Sequence, residues 1–269
     1  MTARVPPAVA TQGLARRFDD LLAVDHLDLT IAHGVFFGLL GSNGAGKTTT
    51  IRMLTTLLPP SAGTASVAGF DIVREPREVR RRIGYVPQMV SADSGLTGRE
   101  NLMLSARLYA IPRAERTERI EQALAFMGLT EAADAVVRTY SGGMIRRLEI
   151  AQCMLHRPAV LFLDEPTVGL DPRARHAVWD RLRELRTQLG TSVLLTTHDM
   201  EEADALCDEV AIMQLGRIVV SGTPKDLKAG AGAGATMDDV FVRHTGGVVD
   251  EGGTYREVAR TRNTARRLE

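Results

Sequence analysis

The sequence predicts an α/β fold: a parallel-sheet core, an antiparallel β subdomain and an inserted helical subdomain. Apolar runs of strand length alternate with helical patterns along most of the chain, which is typical of a parallel sheet. Near the amino terminus, residues 8–14 and 26–31 flank the turn residues Asp19 and Asp20, which predicts an antiparallel pair. Helical spacing without strands then favours an inserted helical subdomain at about 90–158.

Composition excludes several classes of protein. Of 269 residues, 44% are apolar and 25% charged, as in ordinary globular proteins. The 33 basic and 33 acidic side chains cancel, so the overall charge favours neither a nucleic acid nor an anionic membrane as partner. Cys153 and Cys207 lack CxxC or metal-ligand spacing, which favours a reducing compartment. The longest apolar runs are strand-sized, so we expect no membrane span.

A G-x-x-x-x-G-K-T pattern follows the apolar run 35–40 and precedes a helical pattern from residue 50. Its glycines let successive backbone N–H groups point inward, and the next helix directs its positive end to the same place. The sequence therefore predicts a phosphate cradle rather than a simple turn. Lys47 would reach the β- and γ-phosphates, and the Thr48 hydroxyl would bind magnesium. The cradle comprises Gly41, Ser42, Asn43, Gly44, Ala45, Gly46, Lys47, Thr48 and Thr49.

Other polar residues follow apolar strand patterns in the same way. Asp164 and Glu165 end one run, where two buried acids would be costly unless a cation relieved them. We expect Asp164 to hold magnesium, directly or through water, and Glu165 to orient or deprotonate an attacking water. Gln88 and His198 follow two further strands. Because parallel strands end at one sheet edge, we expect all four to converge on the phosphate cradle.

Two further features leave alternatives open. Ser141 is a predicted helix N-cap, and Gly142 and Gly143 after it bare the backbone N–H groups, so this turn is either a second anion site or a plain cap. Phe18 precedes the predicted turn and could cap a small core or stack on a base.

The carboxyl-terminal part of the sequence changes character. A hairpin (209–221) and a short helix (224–228) precede the glycine–alanine run 229–235, which predicts a linker. A small helix at 237–244 and an arginine-rich polar tail follow, which we interpret as solvated rather than as a membrane or partner-binding segment. We therefore expect a nucleotide-binding domain at 1–228 and a flexible segment at 229–269.

Six motifs occur in an order that resembles the ATP-binding cassette of ABC transporters, over about residues 8–228. They are Phe18, the loop 41–48, Gln88, Ser141 with Gly142 and Gly143, Asp164 and Glu165 followed by Leu170 and Asp171, and His198. The resemblance implies a P-loop NTPase (RecA-like) core that binds ATP and Mg²⁺ and hydrolyses ATP. It also implies a location at the cytoplasmic face of the membrane, beside a separately encoded transmembrane permease.

The resemblance implies a head-to-tail dimer, with each ATP between the phosphate loop of one cassette and the Ser141 turn of the other. We expect a homodimer. By the same resemblance, Phe18 stacks on adenine and His198 contacts the γ-phosphate. Gln88 becomes the magnesium and water sensor that also faces the membrane subunit, and Asp171 passes information between the two sites.

Within this family, three segments look like ATPase subunits of drug and lipid exporters of the daunorubicin-resistance type: 95–102, 140–149 and 237–241. Export of a drug, lipid or other hydrophobic compound is therefore the expected function. The chain departs from the family pattern at Tyr140 and Met144, where leucine and glutamine usually flank the signature. Met144 removes a side-chain amide that could touch the ribose, but it leaves the backbone donors in place.

Two other functions are weighed against this one. A soluble ABC-type ATPase acting on nucleic acid or ribosomes would carry two cassettes or a long coiled coil between phosphate loop and signature, and this sequence has neither pattern. A regulator that binds nucleotide without hydrolysing it would not need Glu165 and His198, and both are present.

Overall fold

A computed structural model of the chain describes residues 6–246, apart from the side chains of 186–189. The strands within this range are β1 (Val9–Phe18), β2 (Leu21–Ile31), β3 (Phe36–Leu40), β4 (Ala62–Val67), β5 (Phe70–Asp71), β6 (Ile83–Val86), β7 (Val160–Asp164), β8 (Ser192–Thr197), β9 (Glu209–Gln214) and β10 (Arg217–Gly222). The helices are α1 (Lys47–Leu54), α2 (Pro76–Arg82), α3 (Gly98–Leu108), α4 (Arg113–Phe126), α5 (Gly142–Met154), α6 (Pro172–Leu189), α7 (Met200–Leu206), α8 (Pro224–Ala231) and α9 (Met237–Thr245).

The antiparallel subdomain is a sheet in the order β2-β1-β4-β5. The first two strands pair across the turn at Asp19, whose φ of 46° places it in the left-handed region that aspartate tolerates. β1 continues to Phe18, beyond the predicted end at Leu14, because register shifts between Thr11 and Arg17 keep it paired to β2. The predicted antiparallel pair is therefore present, with longer strands.

The central sheet has the order β10-β9-β3-β8-β7-β6. Strands β3, β8, β7 and β6 lie side by side and parallel, so their carboxyl ends share one edge. All residues of β3, β7 and β8 are buried, as expected for strands covered on both faces. This confirms the predicted α/β core.

The two faces of the central sheet have different cores. On β3, Phe37 and Leu39 join the core that contains the antiparallel subdomain and α1. Phe36 and Leu40 point the other way, into the core formed with α3 to α7 and α9. This alternation follows from the two-residue repeat of a strand. The central sheet is thus held between the antiparallel subdomain and a helical layer.

The predicted helical subdomain is present between β6 and β7. Thr97 and Glu100 form a capping box at the start of α3, and Pro112 precedes α4. The Ser141 hydroxyl accepts a hydrogen bond from the Met144 N–H at 3.3 Å, so Ser141 is the N-cap of α5. Within residues 6–246, no helix is both long enough and apolar enough to cross a membrane.

The carboxyl-terminal segment differs from the flexible segment expected. Helix α8 runs past Lys228 to Ala231, since alanine favours helix, and it ends at Gly232, whose φ is 141°. Helix α9 packs on the core with Met237, Val240 and Phe241 buried. The apolar spacing of α9 thus docks it on the central sheet, so residues up to 246 belong to the folded body. The predicted arginine-rich tail lies outside the described residues.

This packing predicts unequal effects of two valines on α9. Val240 is fully buried, whereas Val242 is 48% exposed. Val240→Ala should lower the free energy of unfolding by about 2 kcal/mol, because two buried methyl groups are lost and a small cavity is left. Val242→Ala, the matched control, should change it by less than about 0.5 kcal/mol. Urea denaturation measures both, and equal effects would show that α9 is not docked.

Candidate nucleotide-binding site

The phosphate loop connects β3 to α1, as the sequence predicts. Gly46 has a φ of 111°, and a Cβ there would lie 2.6 Å from the carbonyl oxygen of Ala23, so only glycine fits. This glycine occupies the N-cap position of α1 without making a side-chain cap. The first backbone N–H groups of α1 are therefore left for an anion, which the helix dipole favours.

The rest of the loop is arranged around this turn. The Gly41 N–H donates to the carbonyl of Thr197 at 3.3 Å, which ties the loop to the end of β8. The Ala45 N–H donates to the Ser42 carbonyl at 3.2 Å. The exposure of the remaining positions varies: Asn43 is exposed, and Ser42, Gly44, Thr48 and Thr49 are half-buried.

Lys47 is buried beneath the loop. Its Nζ donates to the carbonyls of Gly41 at 2.6 Å and Ser42 at 3.2 Å, and it lies 3.1 Å from Oε1 of Glu165. Burial lowers the pKa of Lys47, and the charges of Glu165 and Asp164 only partly offset this effect. The ammonium group thus already faces the carboxylate that the sequence analysis assigned to water activation.

Glu165 joins three strands of the site. Its backbone has a φ of 50°, and its N–H donates to the carbonyl of Thr196 at 3.1 Å. Its side chain accepts from Nδ1 of His198 at 2.7 Å. Burial opposes ionisation, but the hydrogen bond from His198 and the Lys47 charge outweigh it, so the pKa of Glu165 lies below its ordinary value. The same hydrogen bond raises the pKa of His198.

Asp164 lies in a different environment. It is 1% exposed, and its Oδ1 accepts from the hydroxyls of Thr196 at 2.6 Å and Thr48 at 3.1 Å. Burial raises the pKa of Asp164 despite these bonds. No salt bridge to Asp164 is found among the described side chains. Such a carboxylate is a suitable partner for a hard cation.

The donor set fits Mg²⁺. Thr48 and Asp164 place two oxygen ligands side by side, and Mg²⁺ is usually bound by one or two protein oxygens together with phosphate and water. Across residues 6–246 there is no group of three or more His, Cys, Asp or Glu side chains that could hold a metal.

The structure brings Lys47, Thr48, Asp164, Glu165 and His198 into one bonded network. The remaining predicted site residues lie outside it. Gln88 is exposed in the loop after β6, at the same sheet edge. Ser141 and Gly142 are exposed, and Gly143 packs against Ala174 at the start of α6. Asp171 is exposed and caps α6 through the Ala174 N–H at 2.9 Å.

Phe18 ends β1 and is half-buried. The guanidinium carbon of Arg16 lies 4.6 Å from the centroid of its ring, a cation–π contact. Phe18 is not a member of either core cluster of the described residues. The ring therefore belongs to neither core.

Sequence reasoning missed two groups that support this network. The Thr196 hydroxyl binds Asp164 and also accepts from the Glu165 N–H at 3.1 Å. Glu202, which is 1% exposed, accepts from the Thr167 hydroxyl at 2.7 Å and from Nε1 of Trp179 at 3.0 Å. Burial raises the pKa of Glu202. The sequence offers a signal for Thr196, which is a polar residue in a largely apolar strand. It offers none for Glu202, because its pattern is that of an acid on the exposed face of a helix.

These features define a P-loop nucleoside triphosphatase. They are a phosphate loop bounded by glycines, a buried lysine, an aspartate suited to a metal ion and an adjacent ionised glutamate. A family model described as ABC transporter matches residues 24–168. The chain belongs to the ATP-binding proteins of this family.

Several known proteins are similar to this chain. The daunorubicin/doxorubicin resistance ATP-binding protein DrrA of Streptomyces peucetius is 49% identical over 226 residues, covering 84% of this chain and 68% of that protein. The Nod factor export ATP-binding protein I of Ralstonia nicotianae is 45% identical, covering 82% and 68%. A solved structure described as the ATP binding subunit of an ABC transporter is 30% identical with a TM-score of 0.78, covering 88% and 98%.

Membership of the family defines the activity. ABC ATP-binding proteins bind ATP and hydrolyse it, and their hydrolysis is coupled to transport through a transmembrane subunit. They act as dimers. This chain is therefore an ATPase.

The Glu165–His198 contact predicts a measurable titration. Because Glu165 raises the pKa of His198, Glu165→Gln should lower that pKa toward or below about 6.5. NMR titration of the imidazole C–H signals checks this shift. His156, which bonds the carbonyl of Ile83, is the internal control and should not move. An unchanged His198 pKa would contradict the contact.

The same two pKa shifts determine how the stability of the fold depends on pH. A raised His198 pKa stabilises the fold fully below its ordinary value, and this contribution is lost as pH rises through the folded pKa. The lowered Glu165 pKa stabilises the fold above the ordinary pKa of glutamate, and this contribution is lost as pH falls through the folded pKa. The pair therefore stabilises most between about pH 4.5 and 6.5.

Proposed function

We propose that this chain, as a homodimer at the cytoplasmic face of the membrane, powers export of a drug, lipid or other hydrophobic compound through a separately encoded permease. The observation that carries the proposal is the complete Lys47–Glu165–His198 network beside the phosphate loop. The names of the relatives support it, since one is a drug-resistance protein and the other a Nod factor export protein.

The resting contacts suggest how the side chains act on ATP. Lys47 would exchange the carbonyls of its own loop and the Glu165 carboxylate for oxygens of the β- and γ-phosphates. Glu165, which is ionised and still held by His198, would then be free to orient the attacking water and accept its proton. His198 would remain at the γ-phosphate as the fixed partner of this base.

Magnesium has a place in the same scheme. Thr48 and Asp164 would hold a Mg²⁺ ion, directly or through water, and the ion would supply positive charge against the phosphates. Asp164 would keep its bond from Thr196, so the carboxylate stays in position whether or not the ion is bound. We include Gln88 as a further ligand or water sensor, because it lies at the same sheet edge.

Exposure supports a site shared between two chains. Ser141 and Gly142 carry the free N-terminus of α5 at the surface, where they can meet a phosphate of another molecule. Leu170 packs beside them, since a Cβ on Gly142 would lie 3.2 Å from its Cδ2. Asp171, the next residue, is thus held close to the same surface. We propose that this surface faces the phosphate loop of the second cassette.

Exposed apolar residues beside Gln88 support the position proposed for the permease. Met89 is 82% exposed and Val90 is 61% exposed, although both are apolar. Adjacent apolar side chains left at the surface are typical of a protein contact.

Substitutions of the two charged residues should separate binding from hydrolysis. Glu165→Gln should abolish ATP turnover but retain ATP binding and ATP-dependent dimerisation, because the phosphate contacts do not need this carboxylate. Lys47→Ala should lose ATP binding, since the buried cation supplies the charge that faces the phosphates. Phosphate release and fluorescent-nucleotide binding measure the two properties. Normal hydrolysis in Glu165→Gln would remove the role assigned to it.

The permease contact is tested with two matched valines. Val90→Asp should reduce co-purification with the membrane protein encoded alongside by about tenfold, because a charge would be buried in the contact. Val73→Asp is the control, since Val73 is 59% exposed but lies after β5 in the antiparallel subdomain. The measurement is affinity purification from detergent-solubilised membranes. Equal recovery of both variants would place the contact elsewhere.

A further inference from the structure

Arg146, on α5, is a buried arginine with three partners. It is 6% exposed, and its Nη1 donates to the carbonyl of Pro87 at 2.7 Å and to Oε2 of Glu149 at 3.0 Å. Its Nη2 donates to the carbonyl of Gln88 at 3.0 Å. The Arg146 guanidinium therefore fixes the backbone of the loop that carries Gln88, although the two residues are 58 positions apart in sequence.

Glu149 completes the connection. It is 1% exposed, and its Oε1 accepts from the Ser91 hydroxyl at 2.8 Å and also from the Ser91 backbone N–H. The Arg146–Glu149 pair thus contacts both ends of the loop from Pro87 to Ser91. We call these two residues the loop clamp.

The loop clamp is expected to add little to the free energy of folding. A buried ion pair contributes little net stability, because desolvation offsets the attraction, whereas losing one partner is strongly destabilising. Buried pairs of this kind are better attested as devices that fix one arrangement among several. The arrangement fixed here is that of Gln88 relative to α5.

Helix α5 also carries the signature turn. Ser141 caps its first turn, and Arg146 lies about 7.5 Å further along the axis, at 1.5 Å per residue. Because a helix of this length is stiff, the loop clamp links the backbone of Gln88 to the Ser141 turn as one rigid unit.

We propose that Arg146 and Glu149 are positioning residues that make Gln88 and the Ser141 turn move together. The inference rests on the proposed function, in which Gln88 serves the ATP bound by its own chain and Ser141 the ATP bound by the partner. The loop clamp would then transmit the state of one ATP site to the other. It touches neither nucleotide, so it acts only through the residues it holds.

The same helix offers a matched control. Arg147 donates from Nη1 to the carbonyls of Met127 at 2.7 Å and Gly128 at 3.3 Å. It therefore also holds a loop by its carbonyls, but that loop follows α4 and does not carry Gln88. Arg146→Lys and Arg147→Lys both keep the charge, so the fold should persist, and both lose the guanidinium that donates to two carbonyls.

Steady-state ATP hydrolysis by the full chain is the first test. Arg146→Lys should lower kcat about three- to tenfold while KM for ATP changes less than about twofold. The reason is that this substitution displaces the loop that carries Gln88 but leaves the phosphate loop in place. It should also lower the Hill coefficient. Arg147→Lys should leave kcat and the Hill coefficient near those of the unaltered chain. Equal losses in both variants, or an unaffected Arg146→Lys, would overturn the proposal.

Amide hydrogen exchange is the second test, and it does not depend on turnover. With a non-hydrolysable ATP analogue, exchange in the unaltered chain should change together at 87–91 and at 141–147. In Arg146→Lys, segment 87–91 should exchange faster, and its exchange should no longer change together with that of 141–147 when the analogue binds. In Arg147→Lys, the two segments should still change together. Joint responses in both variants would overturn the coupling. Failure of the proposed function appears separately, as no ATP-dependent dimerisation of the unaltered chain.

Discussion

The buried ion pair between Lys47 and Glu165 is the contact on which the site depends. It joins the loop after β3 to the end of β7, two strands that are separated by β8 in the sheet. The side chains of both residues are at most 6% exposed, so each buried charge is compensated in part by the other. A phosphate can replace Glu165 as the partner of Lys47, because His198 still holds the released carboxylate. The pair therefore keeps the site in a form that nucleotide can enter.

Asp164 and Glu165 are adjacent in sequence, but the structure gives them opposite electrostatic characters. Burial raises the pKa of Asp164 despite its hydroxyl partners, whereas His198 and Lys47 bring the pKa of Glu165 below its ordinary value. Neighbouring carboxylates whose environments separate their pKa values usually have different roles. The φ of 50° at Glu165 contributes to this separation, because it turns the chain at the end of the strand. This difference supports the proposal that Asp164 serves a cation and Glu165 serves the attacking water.

Local patterns predicted most of this fold, and contacts between distant segments account for the rest. The parallel strands, the phosphate loop and the Ser141 cap each depend on a few neighbouring residues, so their sequence signals are strong. Alternating glycine and alanine at 229–235 predict a linker, because this local pattern carries no sign of the distant core on which α9 docks. Similarly, nothing near Arg146 indicates that its partners are Pro87 and Gln88, since that contact exists only after β6 and α5 come together.

The phosphate loop, the two carboxylates and His198 are held by strands of one sheet, whereas Gln88 and the Ser141 turn are held by the helical subdomain. The first group is bonded into a single network, so it has little freedom to rearrange. The second group is exposed and attached to α5. A reaction that needs both groups cannot be completed by the rigid one alone. Control of hydrolysis therefore falls to the position of α5, and the buried Arg146–Glu149 pair determines how faithfully Gln88 follows that helix.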